Sequence, residues 1–202
     1  MTKILIFGDS IAWGAFDKKY GGWVERLKAH FLQNYKEEEI GIYNLSISSN
    51  DTRGVLVFLE QDINKINKIE PEKLILLFSI GSNDSRYINE KNNVAVPIKE
   101  FEENLKKIIT ISNKFSPKIF FTGLIKVDDK LTQPWNQNEF WENKDIQKYD
   151  DTIRTICKNQ QIDFISLFDL IEKNELKDGL HPNTKGHEKI FNHVKEYLLK
   201  TI

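Results

Sequence analysis

The sequence predicts an α/β protein whose parallel β-sheet carries helices on both faces. Three observations lead there. Five short apolar runs recur along the 202 residues, each long enough for a strand and too short for a helix. Segments with helical periodicity lie between them. Polar residues able to do chemistry follow the runs directly, where an open parallel sheet places its ligands, beyond the carboxyl ends of its strands.

The runs are KILIFG (3–8), IGIYNLS (40–46), KLILLFSIG (73–81), KIFFTGL (118–124) and IDFISLF (162–168). They are rich in Ile, Leu and Phe, as strands covered on both faces should be. Trp23, Leu27 and Phe31 fall four apart, as do Phe101, Leu105 and Ile109. Ile146, Ile153 and Ile156 form a similar stripe, and Ile190, Val194, Tyr197 and Leu198 form the last. Asn183 or Thr184 is expected to cap that final helix. No repeat, linker or low-complexity tract interrupts the alternation, so residues 1–202 read as one domain. The longest stretch without predicted structure is 125–143, IKVDDKLTQPWNQNEFWEN, with Pro134, Trp135, Phe140 and Trp141. A long aromatic loop of this kind either covers a site as a lid or packs its rings back on the body.

Composition narrows the classes of function. Hydrophobic residues at 40% and charged residues at 29% are ordinary for a globular chain. Lysine plus arginine (29) balance aspartate plus glutamate (30), which leaves no field to attract nucleic acid or an anionic membrane. The single Cys157 excludes an internal disulfide and a multi-cysteine zinc site, and its apolar-periodic setting points to packing. The opening MTKILIFGDS has an apolar stretch too short for a secretion signal. No apolar run approaches the roughly 18 residues of a membrane span. The expected location is cytoplasmic.

Four polar stretches should converge at one sheet edge: Gly8-Asp9-Ser10, SISSNDT (46–52), Gly81-Ser82-Asn83-Asp84, and the loop holding Asp178 and His181. A nucleophilic hydroxyl needs a base within hydrogen-bond reach, and the base needs an acid to set its tautomer. Ser10, His181 and Asp178 fit those roles. A tetrahedral oxyanion needs preorganised donors, and the Ser10 amide, an amide at Ser48 or Ser49 and the Asn83 side chain are available. Asp9 is expected to shape its turn, and Asp84 to bond the backbone of its own loop.

The ordered set IFGDS, GSND and DGLHPN resembles the SGNH (GDSL) hydrolase family over residues 4 to about 190. The resemblance implies a three-layer α/β/α, flavodoxin-like fold with a five-stranded parallel sheet. It implies hydrolysis of carboxylic esters or thioesters through an acyl-serine, with no metal or cofactor and a small-molecule ester as partner. It assigns the nucleophile to Ser10, the oxyanion amide to Asn83, and the acid and base to Asp178 and His181. One block departs. NLSISSNDTRG carries serine, at Ser48 or Ser49, where the family's second block has a glycine, and serine is strained there if the position requires φ > 0.

Two other readings compete. His181, His187 and His193 recur every six residues, but helical metal ligands lie three or four apart, so a shared ion is disfavoured. His187 is expected to cap or pack near the helix start with little effect on ester hydrolysis when replaced, His193 to be solvated, and His30 to be at the surface or half-buried. A non-catalytic binding protein on the same fold is the second alternative, and it has no need of the full nucleophile, base, acid and amide set. Trp13, Trp135 and Trp141 are candidates to line the substrate site. The residues themselves do not select among short esters, thioesters and acetylated sugars, nor an oligomeric state.

Overall fold

In a computed structural model, which describes residues 2–35, 39–68, 73–116 and 118–200, each of the five apolar runs contains a strand. The chain runs β1 (Thr2–Gly8), α1 (Ser10–Trp13), α2 (Trp23–Asn34), β2 (Ile40–Asn44), α3 (Thr52–Ile66), β3 (Lys73–Ser79) and β4 (Tyr87–Ile88). It continues through α4 (Ile98–Ser112), β5 (Ile119–Thr122), β6 (Glu139–Phe140), α5 (Asn143–Asn159), β7 (Asp163–Ile165), a 3-10 turn (Lys173–Glu175) and α6 (Thr184–Leu199).

The main sheet is parallel, in the order β2-β1-β3-β5-β7. Counting only these strands, this is the flavodoxin order 2-1-3-4-5, as expected. The chain crosses from β1 to β2 on one side and returns to β3 on the other, so the topological switch lies between β1 and β3. These two strands pair in register from Thr2↔Lys73 to Gly8↔Ser79. Their carboxyl ends therefore finish level, and the segments that follow leave the sheet side by side.

Alternation along the strands builds two cores. Ile4, Ile6, Ile75 and Leu77 pack with Trp23, Leu27, Phe31, Ile190 and Val194 from α2 and α6. Leu5, Phe7, Leu76 and Phe78 pack with α3, α4 and α5 through Leu59, Phe101, Leu105 and Ile153. Phe78 stacks on both Phe7, at 5.3 Å, and Phe121, at 4.9 Å. Fully burying each such side chain contributes about 1.5–3 kcal/mol. Helix α3 follows the same rule with Val55, Leu59 and Ile63 inward. In the last stripe Tyr197 departs from expectation: it is exposed, while Ile190, Val194 and Leu198 are buried.

The fifth run yields only the three residues of β7, at the sheet edge, where Lys118 pairs with the Asp163 carboxylate. Asn183 caps α6 by accepting from the Lys185 and Gly186 N–H groups. Cys157 is buried, which pushes its thiol up to about 12. Among the described residues no helix is long and apolar enough to cross a membrane.

Residues 125–143 are structured. Strand β6 pairs antiparallel with β4. The Asn143 side chain closes the base of the loop, accepting from Val127 N–H at 2.9 Å and donating to the Val127 carbonyl at 2.8 Å. Trp141 is 2% exposed and donates its indole N–H to the Ser82 carbonyl at 2.9 Å.

Candidate active site

Strand β1 ends at Gly8, where a Cβ would lie 2.5 Å from the Ala12 Cβ and 2.7 Å from the Ser79 carbonyl oxygen. Only glycine lets the chain turn this closely over β3. Asp9 then caps α1, its carboxylate accepting the Ile11 N–H at 2.9 Å, and Ser10 begins the helix. The turn-shaping part expected of Asp9 is this bond.

From the other end of the chain, the loop before α6 brings in His181. That loop is pinned by the Leu176↔Pro182 bridge and by Lys177 N–H donating to the His181 carbonyl at 2.7 Å. The Ser10 Oγ lies 2.9 Å from His181 Nε2, and His181 Nδ1 lies 2.8 Å from Asp178 Oδ2. The second Asp178 oxygen accepts the Leu180 and His181 N–H groups at 3.0 and 2.8 Å. Burial works to raise the Asp178 carboxyl, but the bonds from the His181 ring and backbone outweigh it and hold it at about 2. A carboxylate ionised at neutral pH takes the Nδ1 proton as its partner, leaving Nε2 as the acceptor for the Ser10 hydroxyl.

The second polar stretch forms a turn, Asn50 N–H donating to the Ile47 carbonyl at 3.1 Å, docked on β1 by Ile47 N–H to the Gly8 carbonyl at 3.1 Å. Ser49, at φ 64, occupies the turn position that favours glycine. Of the two serines considered, Ser49 has the backbone conformation a glycine would supply. The Asn83 side chain donates to the Asn50 carbonyl at 2.9 Å, drawing this turn against the Gly81–Asp84 segment. Among the described residues neither the Ser10 nor the Ser49 N–H is taken by a protein acceptor. Replacing Ser49 with glycine removes the left-handed penalty of about 1–2 kcal/mol, less the added freedom of the unfolded chain. Ser49→Gly is therefore expected to raise the melting temperature by about 1–4 °C, read by calorimetry; a fall would count against strain at this position.

Asp84 departs from expectation. Its carboxylate accepts the Thr52 N–H at 3.1 Å and the Thr52 hydroxyl, so it fastens the start of α3 rather than its own loop. Burial raises Asp84 to about 7 against these hydrogen bonds, and raises Asp9 to about 6 against the Ile11 N–H and the field of His181. A carboxyl whose folded value exceeds its unfolded one takes up its proton first in the folded state, so acidification stabilises the fold across that window. The melting temperature should rise between pH 8 and 6.5, and Asp84→Asn should flatten the rise. A midpoint that falls over this interval in the wild type would contradict the assignment. Further acidification meets His187, which burial holds below the ordinary imidazole value and which destabilises the fold as pH drops past 6.5.

The remaining histidines separate by burial. His187 is fully buried with its Nε2 2.9 Å from the Ala15 carbonyl. It packs near the helix start, as anticipated, and its replacement would empty a core position and orphan a buried carbonyl, so the cost is expected in stability before turnover. His193 is half-buried against the Tyr197 ring at 5.4 Å rather than solvated. His30 is half-buried beside Phe31 and Phe191. Among the described residues no three His, Cys, Asp or Glu side chains are grouped to hold a metal ion.

Of the three tryptophans, Trp13 is 55% exposed at the end of α1. Trp135 is half-buried with its ring 5.8 Å from His181. Trp141 does not reach the surface: it lies in the core behind Trp135, ring centroids 5.5 Å apart, and cannot itself touch a ligand. Phe16, which no motif indicated, places its ring 5.3 Å from His181 with a backbone φ of 66.

A hydroxyl, an imidazole and a carboxylate in hydrogen-bonded series at the switch point of a 2-1-3-4-5 sheet form the framework of a three-layer α/β serine hydrolase. The chain belongs to the GDSL-like Lipase/Acylhydrolase family, whose pattern matches residues 4–194. Membership makes it a serine hydrolase acting on carboxylic esters. It is 23% identical over 212 residues to the human isoamyl acetate-hydrolyzing esterase 1 homolog, covering 99% of this chain and 82% of that protein. A multidomain esterase of Ruminococcus flavefaciens is 25% identical over 93% of this chain and 27% of its own length. In structure it resembles a catalytic mutant of an acetylxylan esterase from Geobacillus stearothermophilus (TM-score 0.73, 18% identity, 96% and 92% covered). It also resembles a lipase/acylhydrolase from Enterococcus faecalis (TM-score 0.72, 21% identity, 98% and 95% covered).

Proposed function

We propose that the protein hydrolyses short-chain or acetyl esters through an acyl-serine intermediate, with Ser10 as nucleophile, His181 as base and then acid, and Asp178 as the group that orients and stabilises the imidazolium. The observation that carries this reading is the unbroken series Ser10 Oγ, His181 Nε2, His181 Nδ1, Asp178 Oδ2, each link below 3 Å. Ser10 Oγ attacks the ester carbonyl as its proton passes to His181 Nε2. The oxyanion forms toward the Ser10 and Ser49 N–H groups and the Asn83 amide. The C–O bond then breaks as Nε2 gives the proton to the departing alkoxide. Water repeats the sequence, its proton going to His181 and its oxygen to the acyl carbon, and Ser10 regains its hydrogen.

A short acyl group agrees with the names of the relatives, two of which refer to acetyl esters, isoamyl acetate and acetylxylan. A purely binding role has no use for the hydroxyl-imidazole-carboxylate series. The test is labelling with a fluorophosphonate, which phosphonylates an activated serine, beside Ser10→Ala and a set of ethyl esters of increasing acyl length. Labelling of the wild type alone, with fastest turnover at two to about four acyl carbons, is the expected result. An unlabelled wild type, or equal labelling of the variant, removes the reading.

A further inference from the structure

We propose that Phe16 and Trp135 wall the leaving-group side of the site and select esters whose alcohol portion is apolar and broad, an aryl or branched alkyl alcohol. This rests on the acyl-serine reading above. In that chemistry His181 Nε2 must hand its proton to the departing oxygen, so the alcohol leaves beside the imidazole while the acyl group stays on Ser10. The side chains that border the imidazole therefore border the alcohol.

Two aromatic rings do so, from separate loops. Phe16 stands 5.3 Å from the His181 ring at an interplanar angle of 51°, and Trp135 stands 5.8 Å away at 62°. Neither placement is explained by folding alone. Phe16 holds a φ of 66, a conformation unfavourable for a bulky residue, and its side chain remains 45% exposed. Such strain persists only where the surroundings over-determine it, and here they do. On one side the Ala15 carbonyl is bonded to buried His187 at 2.9 Å. On the other, the Asp17 carboxylate takes the Gly22 N–H, Arg26 Nε and the Thr184 hydroxyl at 3.3, 3.0 and 3.0 Å. Two buried anchors thus fix an aromatic ring half in solvent beside the base. Trp135 is fixed too, by its backbone N–H on the Glu139 carbonyl at 2.9 Å and its ring edge-to-face on buried Trp141.

The neighbourhood is apolar. Trp13, Ile47 and Leu131 are 55%, 48% and 54% exposed. They stand respectively on α1, on the turn bonded to Gly8, and against Gly179, where a Cβ would meet Leu131 at 2.5 Å. Of the charged groups near Phe16, Asp17 and Arg26 are paired with each other and almost wholly covered, so these two offer nothing to the hydroxyls of a sugar. Rings and alkyl surface of this kind suit an apolar alcohol.

The test compares benzyl acetate with ethyl acetate, whose leaving groups differ little in basicity, so their kcat/KM ratio reports contact with the alcohol. Phe16→Ala and Trp135→Ala should each lower that ratio by about tenfold relative to the wild type, the scale of one lost apolar subsite contact. The ethyl butyrate to ethyl acetate ratio, which reads the acyl side, should move far less. Phe58→Ala, an exposed aromatic on α3, serves as the control. Phe16→Leu and Trp135→Phe keep most of the packing, and smaller drops of the same ratio are expected if the alanine variants fold poorly. An unaltered benzyl to ethyl ratio, an equal loss for every ester together with a displaced pH profile, or a shift in acyl preference instead would overturn the assignment. So would a wild type faster on acetylated xylosides than on benzyl acetate. Fluorophosphonate labelling is run on every sample: loss of labelling in the wild type refutes the acyl-serine reading, whereas intact labelling with an unaltered ratio refutes the walls alone.

Discussion

Replacing His181 with alanine is expected to lower kcat/KM for ester hydrolysis by about 10,000-fold or more, the loss found when the base of such a series is removed. The Ser10 hydroxyl lies 2.9 Å from His181 Nε2, the base proposed for it, and among the described residues no second base is bonded to it. His181 is also the donor that keeps Asp178 paired. Without it the Asp178 carboxylate still accepts the Leu180 and position-181 N–H groups, so the loop keeps its backbone bonds and the fold should survive. Near-native circular dichroism with loss of turnover and of fluorophosphonate labelling is the expected combination. Turnover within tenfold of the wild type would show that another group activates the serine. His187 gives the converse case. Its ring holds the Ala15 carbonyl inside the core, so alanine there should lower the melting temperature first and affect turnover only through the looser 15–17 segment.

Much of this arrangement could be read from residue order, and the misses share a physical cause. The strands were legible because parallel strands covered on both faces must be apolar along their length, as Ile4–Phe7 and Leu74–Phe78 are. Once the sheet is parallel, Ser10, Asn83 and His181 follow strands or precede the last helix and must meet at one edge. Strands β4 and β6, two residues each, carry too little pattern to be seen. Trp141 and Trp135 sit six residues apart in one irregular segment, and nothing local distinguishes the buried ring from the half-exposed one. The difference lies in the Ser82 carbonyl that receives the Trp141 indole. From sequence alone Asp84 belongs to its own loop, because local bonds are the usual fate of a loop aspartate. Its true partner, Thr52, is 32 positions away in sequence. Phe16 gave no indication at all, since its meaning rests on a backbone angle and on a ring brought from the far end of the chain.

Asn83→Ala is expected to lower kcat by about 100- to 1,000-fold with little change in KM, because an amide aimed at a developing oxyanion binds more strongly as the charge grows. The structure places this loss toward the upper end. The Asn83 side chain has two N–H groups, and one is committed to the Asn50 carbonyl at 2.9 Å. That bond fixes the turn carrying Ser49, whose own N–H is the neighbouring donor in the proposed oxyanion site. Truncation thus removes one donor and frees the support of another, whereas loss of a lone amide would remove only the first. Ser49→Gly separates the two contributions. Glycine relaxes the φ of 64 but keeps the backbone N–H, so alone it should leave kcat within a fewfold of the wild type. Combined with Asn83→Ala it should lower kcat beyond the single variant, since glycine widens the conformations open to a turn that has lost its anchor, and its N–H is held in place less often. If instead the double variant matches Asn83→Ala, the Ser49 N–H makes no contribution once Asn83 is gone, and the oxyanion rests on the Ser10 amide alone.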